Sequence, residues 1–134
     1  MFEIVAAHGI PYAATASIGY LTDFMRKIEK ARDIRGTRYI HVIAPCPTGW
    51  GCATDQTIDI AKEVVDCGLW YLAEFEDGAF KINRDPKSFE EDPTKWGSVA
   101  HYLRRQGRFA ALTDEEVHAV EEQRDAMWER LRAL

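Results

Sequence analysis

Residues 38–50, Arg-Tyr-Ile-His-Val-Ile-Ala-Pro-Cys-Pro-Thr-Gly-Trp, decide the fold class of this 134-residue chain. The stretch 38–44 is almost continuous in apolar and β-favouring side chains, which predicts a strand buried on both faces, as in the parallel sheets of α/β proteins. Ligands of open α/β sheets collect beyond the carboxyl ends of such strands, and Cys46 stands just past this one. Pro45 and Pro47 fix their own φ and bias the preceding residues towards extended backbone, so the thiol has little freedom to lose on ligation. The residues alone leave two roles open for Cys46: a small hydrophobe packed in a core, or a thiolate ligand.

Cys52 and Cys67 do not complete a site around it. Their spacings match no CxxC pattern, so the chain's own cysteines cannot assemble a metal centre, and Cys67, before Gly68, reads as core. The turn after Cys46 contains Gly49 and Gly51, suited to positive φ or close backbone approach, and Trp50, large enough to cover a site or anchor packing.

Upstream, residues 2–8 read as the tail of a helix stopped by Gly9 and Pro11. Residues 12–18 (YAATASI) read as a strand whose small side chains admit a close neighbour. Thr22 is the expected cap of a helix carrying Phe24, Ile28, Ala31 and Ile34 at helical spacing and ending at Gly36. Together these segments form a βαβ unit. Downstream, Thr54 or Asp55 is the expected cap of a helix burying Ile58, Ala61, Val64 and Val65. Its outer face carries Asp59, Lys62, Glu63 and Asp66.

The pattern then changes from parallel to antiparallel. Residues 70–75 and 79–82 flank Asp77-Gly78, a strong type I′ hairpin signal. Residues 83–96, with Pro86, Pro93 and many charges, predict a long surface loop. Ser98 is expected to cap a short helix that turns Tyr102 and Leu103 to a core and ends at Gly107. Thr113 and Glu116 form a capping box, Leu112 and Val117 a hydrophobic staple, and Val120, Met127, Leu131 and Leu134 continue the stripe of a final helix.

Composition narrows the functional classes. A chain that is 46% hydrophobic is an ordinary globular one, and no apolar run reaches membrane-spanning length. The net charge of −5 and the scatter of basic residues argue against nucleic acid; Arg104, Arg105 and Arg108 make too small a cluster for a phosphate track and predict a solvated face or interface. The opening MFEIVAAHGI has no signal-peptide pattern. Three irregularly spaced cysteines fit a reducing compartment, so the expected location is cytoplasmic, away from membranes. His8, His41, His101 and His118 lie far apart, and His41, alternating with apolar neighbours, reads as a core histidine. No GxSxG, P-loop or GxGxxG is present. Glu74 with Glu76, and Glu90 with Glu91, read as solvated acidic pairs. Cys46 is therefore the one candidate for chemistry.

HGIPYAATASIGYLTDFMRKIEKA, then RYIHVIAPCPTGWG, then YLRRQGRFAALTDEE together resemble the C-terminal portion of the β subunit of 2-oxoacid:ferredoxin oxidoreductases, most closely the pyruvate enzyme. The resemblance covers nearly the whole chain. It implies part of a thiamine-diphosphate-binding α/β fold, with parallel strands and flanking helices over residues 1–69, then a hairpin, loop and helical extension over 70–134. It further implies oxidative decarboxylation of a 2-oxo acid on thiamine diphosphate and Mg²⁺, passage of electrons through 4Fe-4S clusters to ferredoxin, and transfer of the acyl group to coenzyme A. The cysteine of APCPTGW is in that family a ligand of the cluster nearest the thiamine, and it maps onto Cys46. Three thiolates would come from outside these residues, since the upstream CxxC ligands are absent, as is the GDG motif that holds thiamine diphosphate through Mg²⁺. The implied partners are the other subunits, ferredoxin, the 2-oxo acid and coenzyme A. Cys52 departs from the family pattern and receives no ligand role. The alternative is a non-catalytic subunit-interaction or assembly module in which Cys46 is merely buried.

Overall fold

The computed structural model describes residues 1–85 and 97–134. Along the chain the elements are α1 (Phe2–Ala6), β1 (Tyr12–Ser17), α2 (Leu21–Asp33), β2 (Arg38–Ile43), α3 (Pro47–Trp50), α4 (Thr57–Asp66), β3 (Ala73–Glu76), β4 (Ala79–Ile82), α5 (Val99–Arg104) and α6 (Asp114–Arg132). The fold class is the expected α/β one. Among the described residues the strands form one mixed sheet in the order β2-β1-β3-β4. β1 and β2 run parallel, Tyr12 opposite Arg38 and Ser17 opposite Ile43, whereas β3 pairs antiparallel with β1 and with β4. Asp77 and Gly78 both take positive φ, +48° and +83°, and close the predicted hairpin.

The doubly buried strand is β1, not β2. All six β1 residues are buried, whereas β2 is exposed at Arg38 and half-buried thereafter. The reason is position: β2 is an edge of this sheet, and β1, flanked on both sides, needs small side chains to let other elements approach. Its faces divide by alternation. Tyr12 and Ala14 meet Ala31, Ile34 and Ile40 beneath α2, while Ala13 meets Phe2, Ala73 and Phe75 beneath α1. On this second face the polar side chains bond to backbone: Thr15 donates to the Tyr71 carbonyl (2.6 Å) and accepts from Ala73 N–H (2.9 Å), and Ser17 donates to the Ala61 carbonyl (2.5 Å).

The largest core lies beyond the sheet, where Ile60, Val64 and Val65 of α4 meet Leu72, Val99, Tyr102, Leu103 and Val117. The capping box of α6 is formed in full by Thr113 and Glu116. Its staple pair, Leu112 and Val117, lies in that core. Ser98 caps α5 by accepting from His101 N–H (3.1 Å), and that helix stops at Arg104 rather than running to Gly107. The α6 stripe departs at two places. Leu134 is exposed, and Trp128, absent from the predicted stripe, is buried and donates to the Gly68 carbonyl (2.8 Å).

Four further expectations are corrected. Thr22 does not cap α2, which begins one residue earlier after Tyr20 with no side-chain cap; Thr54–Gln56 form a separate 3₁₀ turn, so neither Thr54 nor Asp55 caps α4. The buried face of α4 uses Ile60 in place of the exposed Ile58. That of α2 is not apolar throughout: Lys27 is fully buried, while Leu21, Met25 and Ile28 face outwards. Lys27 satisfies its ammonium on the Thr15 carbonyl (2.7 Å) and Asp23 (2.6 Å), and burial lowers its pKa against the opposing pull of Asp23. Most of the predicted 83–96 loop, with Glu90 and Glu91, lies outside the described residues.

Candidate functional site

Cys46 is built by the end of β2 and the helix that follows it. β2 stops at Ile43, Pro45 is buried, and Cys46 becomes the N-terminal boundary residue of α3, with extended backbone and Pro47 in the first helical turn. The expected loop at 48–51 is thus a single helical turn. Proline is pre-shaped for a helix start, where its missing N–H costs nothing. The Cys46 carbonyl accepts the Trp50 N–H (2.8 Å), so the cysteine is locked to the turn through its backbone. The residue is exposed and its thiol is free of any disulfide. A side chain at position 49 would put its Cβ 3.5 Å from the Cys46 sulfur; glycine there leaves that side of the thiol uncovered.

The reading of Cys46 as a buried hydrophobe is therefore overturned. The reason is local, since the strand ends three residues earlier and the prolines carry the chain out of the core. Cys67 is the core cysteine, as expected: it is 1% exposed, and burial pushes its thiol up to about 11. Cys52 is half-buried. Among the described residues no group of three or more His, Cys, Asp or Glu side chains is placed to hold a metal ion. His41 is half-buried edge-on against Trp70 (4.8 Å), and burial lowers its pKa.

The turn is clasped from the C-terminal half of the chain. Gly51 takes φ +67°, and its carbonyl accepts the Gly107 N–H at 2.9 Å. A Cβ on Gly51 would lie 3.1 Å from the Gly107 Cα, so this contact explains the glycine at 51 on two counts. The Arg108 guanidinium stacks on the Trp50 ring at 3.8 Å. Arg104, Arg105 and Arg108 are not simply a solvated face: Arg104 pairs with Asp114, Arg105 with Glu63, and Arg108 with Trp50.

A second cluster was missed by the sequence reading. Glu74, expected to be solvated, is 2% exposed. Its carboxylate accepts bonds from Tyr12 (2.8 Å), Arg26 (2.9 Å), Lys30 (3.2 Å) and Asn83 (2.6 Å). Burial alone would raise its pKa; the bonds from Arg26, Tyr12, Asn83 and Lys30 outweigh it and hold the carboxyl at about 2. The one signal available in sequence was alternation, which places Glu74 on the same face as the buried Leu72 just before β3, while Glu76 ends the strand exposed beside the turn. This cluster bonds to the amino end of β1, whereas Cys46 lies past the carboxyl ends of β1 and β2. A cavity of about 400 Å³ lined by Ala6, Ile10, Pro11, Phe75 and Asp77 is likewise at the amino end.

No family model matches the chain. Similarity to individual proteins is extensive. The chain is 43% identical over all 134 residues to the ketoisovalerate oxidoreductase subunit VorB of Pyrococcus horikoshii, and it covers 42% of that protein. It is 44% identical over 129 residues to the pyruvate synthase subunit PorB of Methanothermobacter marburgensis, again 42% of that protein. With PorB of Thermotoga maritima the identity is 38% over 137 aligned positions, 98% of this chain and 40% of the relative. The class these relatives define is that of subunits of 2-oxoacid oxidoreductases. Over its own length, the chain is a homologue of the particular subunits VorB and PorB, and it spans about two fifths of the length of the relatives it matches.

Proposed function

We propose that this chain is part of a 2-oxoacid:ferredoxin oxidoreductase, acting with other subunits to convert a 2-oxo acid and coenzyme A into acyl-CoA and CO₂. The observation that carries the proposal is the similarity to VorB and PorB along the whole chain. Pyruvate is the proposed first substrate, with ketoisovalerate, named for the VorB relatives, as the second to assay. Residues 1–69 are the proposed share of a thiamine-diphosphate-binding domain and 70–134 its extension, in a cytoplasmic complex.

The residues present suit one ligand of a 4Fe-4S cluster and no more. Cys46 offers a soft, exposed sulfur on a proline-braced turn, which is what a cluster thiolate requires. Three further thiolates are proposed to come from outside the chain, as are the groups binding thiamine diphosphate and Mg²⁺. A bound cluster supplies one-electron transfer towards ferredoxin. The chain's own part is to present Cys46 rigidly; the Trp50 and Gly51 N–H groups are held by the Cys46 and Pro47 carbonyls, so those of Thr48 and Gly49 are the ones proposed to hydrogen-bond cluster sulfurs.

The test is Cys46→Ser in the intact complex, reading iron content, the electron paramagnetic resonance signal of the reduced enzyme, and pyruvate-dependent reduction of ferredoxin with coenzyme A. Loss of one cluster's iron, with thiamine diphosphate retained, is the expected result. Unchanged iron and electron transfer would remove Cys46 from the cluster.

A further inference from the structure

We propose that Arg108 is the positioning residue of the Cys46 turn, holding the ligand cysteine in orientation through Trp50; this rests on the reading of Cys46 as a cluster ligand.

The geometry is that of a built clamp. Gln106 is fully buried, and its amide is committed at both ends. The nitrogen donates to the Tyr102 carbonyl (2.9 Å), leaving the oxygen to accept both Nε (3.0 Å) and an Nη (2.8 Å) of Arg108. Those two bonds, converging on one oxygen, orient the guanidinium. Its central carbon then lies 3.8 Å from the Trp50 ring centre, over that ring, and 4.6 Å from the ring centre of Phe109. Trp50 is in turn the residue whose N–H binds the Cys46 carbonyl.

Arginine is needed here for its shape. Its flat, weakly hydrated head can stack and donate two hydrogen bonds at the same time, which the compact lysine ammonium cannot. Both of its bonds to Gln106 go to a neutral amide rather than to a carboxylate. Gly51 and Gly107 add a backbone bond beside the stack, so the turn is gripped at a side chain and at the main chain together. The stack is worth about three- to tenfold in the opening equilibrium of the turn.

The test uses the assembled complex. Arg108→Ala is expected to speed amide hydrogen exchange at Trp50, Gly51 and Cys52 about three- to tenfold, leaving the amides of β1 at native rates. Trp50→Leu, which removes the stack from its other side, gives the same pattern, and Arg108→Lys restores only part of the protection. In Arg108→Ala the resonance spectrum of the reduced cluster changes while iron content stays native. Native exchange at the three amides in both Arg108→Ala and Trp50→Leu overturns the clamp. A native spectrum in Arg108→Ala, beside loss of the cluster in Cys46→Ser, overturns the positioning role and leaves Cys46 a ligand. Full iron and a native spectrum in Cys46→Ser overturn the ligand reading and, with it, the role given to Arg108.

Discussion

Replacing Glu74 by glutamine removes the charge around which Arg26, Lys30, Tyr12 and Asn83 are arranged, with almost no change of volume. Holding that carboxyl at about 2 instead of 4.5 corresponds to about 3 kcal/mol of stability at neutral pH. Arg26 is nearly half exposed, so water screens its share and the expected loss in Glu74→Gln is about 2 to 3 kcal/mol. The sign in pH follows from the lowered pKa. Stability contributed by Glu74 is complete above the unfolded value of 4.5 and disappears as the pH falls towards 2. Urea unfolding of both proteins, followed by tryptophan fluorescence from pH 7 down to pH 3, should therefore show a gap that is widest at neutral pH and narrows below about 4.5. A gap under about 0.5 kcal/mol at pH 7, the range of an ordinary surface substitution, would refute the reasoning. So would a gap that does not narrow with acid.

Two other perturbations test the packing around the site. Gly19→Ala would place a Cβ 2.3 Å from the Lys62 nitrogen and 2.6 Å from the Ala61 carbonyl carbon, both backbone atoms of α4. The loop after β1 must then move off that helix, and thermal unfolding should report a cost of about 3 kcal/mol or more. Alkylation of the folded, iron-free chain by iodoacetamide, followed by peptide mass spectrometry, should modify the exposed Cys46 readily and Cys67 only on unfolding, because burial pushes the Cys67 thiol up to about 11. Equal rates at the two cysteines would contradict the burial assigned to each.

Much of the fold was legible because it is written in local chemistry. The Asp77-Gly78 turn, the Thr113–Glu116 capping box and the Ser98 cap each depend on residues within a few positions of one another, and each formed as read. Identifying the more deeply buried strand was harder. The apolar run 38–43 looks more buried than the alanine-rich 12–17, yet β1 occupies the centre because neighbours on both sides require small side chains. The helix α2 misled for a related reason. Lys27 sits on its buried face, and only the approach of Asp23 and the Thr15 carbonyl makes that tolerable, while Ile28 was left outside. Trp128 escaped the α6 stripe because its burial depends on the Gly68 carbonyl, sixty residues away.

By itself the sequence determined the α/β class, the switch from parallel to antiparallel pairing, the rigid cysteine after a strand, and the resemblance to a 2-oxoacid oxidoreductase β subunit, since each rests on residue identity and short-range order. The tertiary structure alone decided that Glu74 is a buried anion with four hydrogen-bonding partners, and that the cysteine turn is gripped by Gly107 and Arg108. These are contacts between residues far apart in the chain. Their energies depend on burial and on the direction of approach, and no local pattern encodes either.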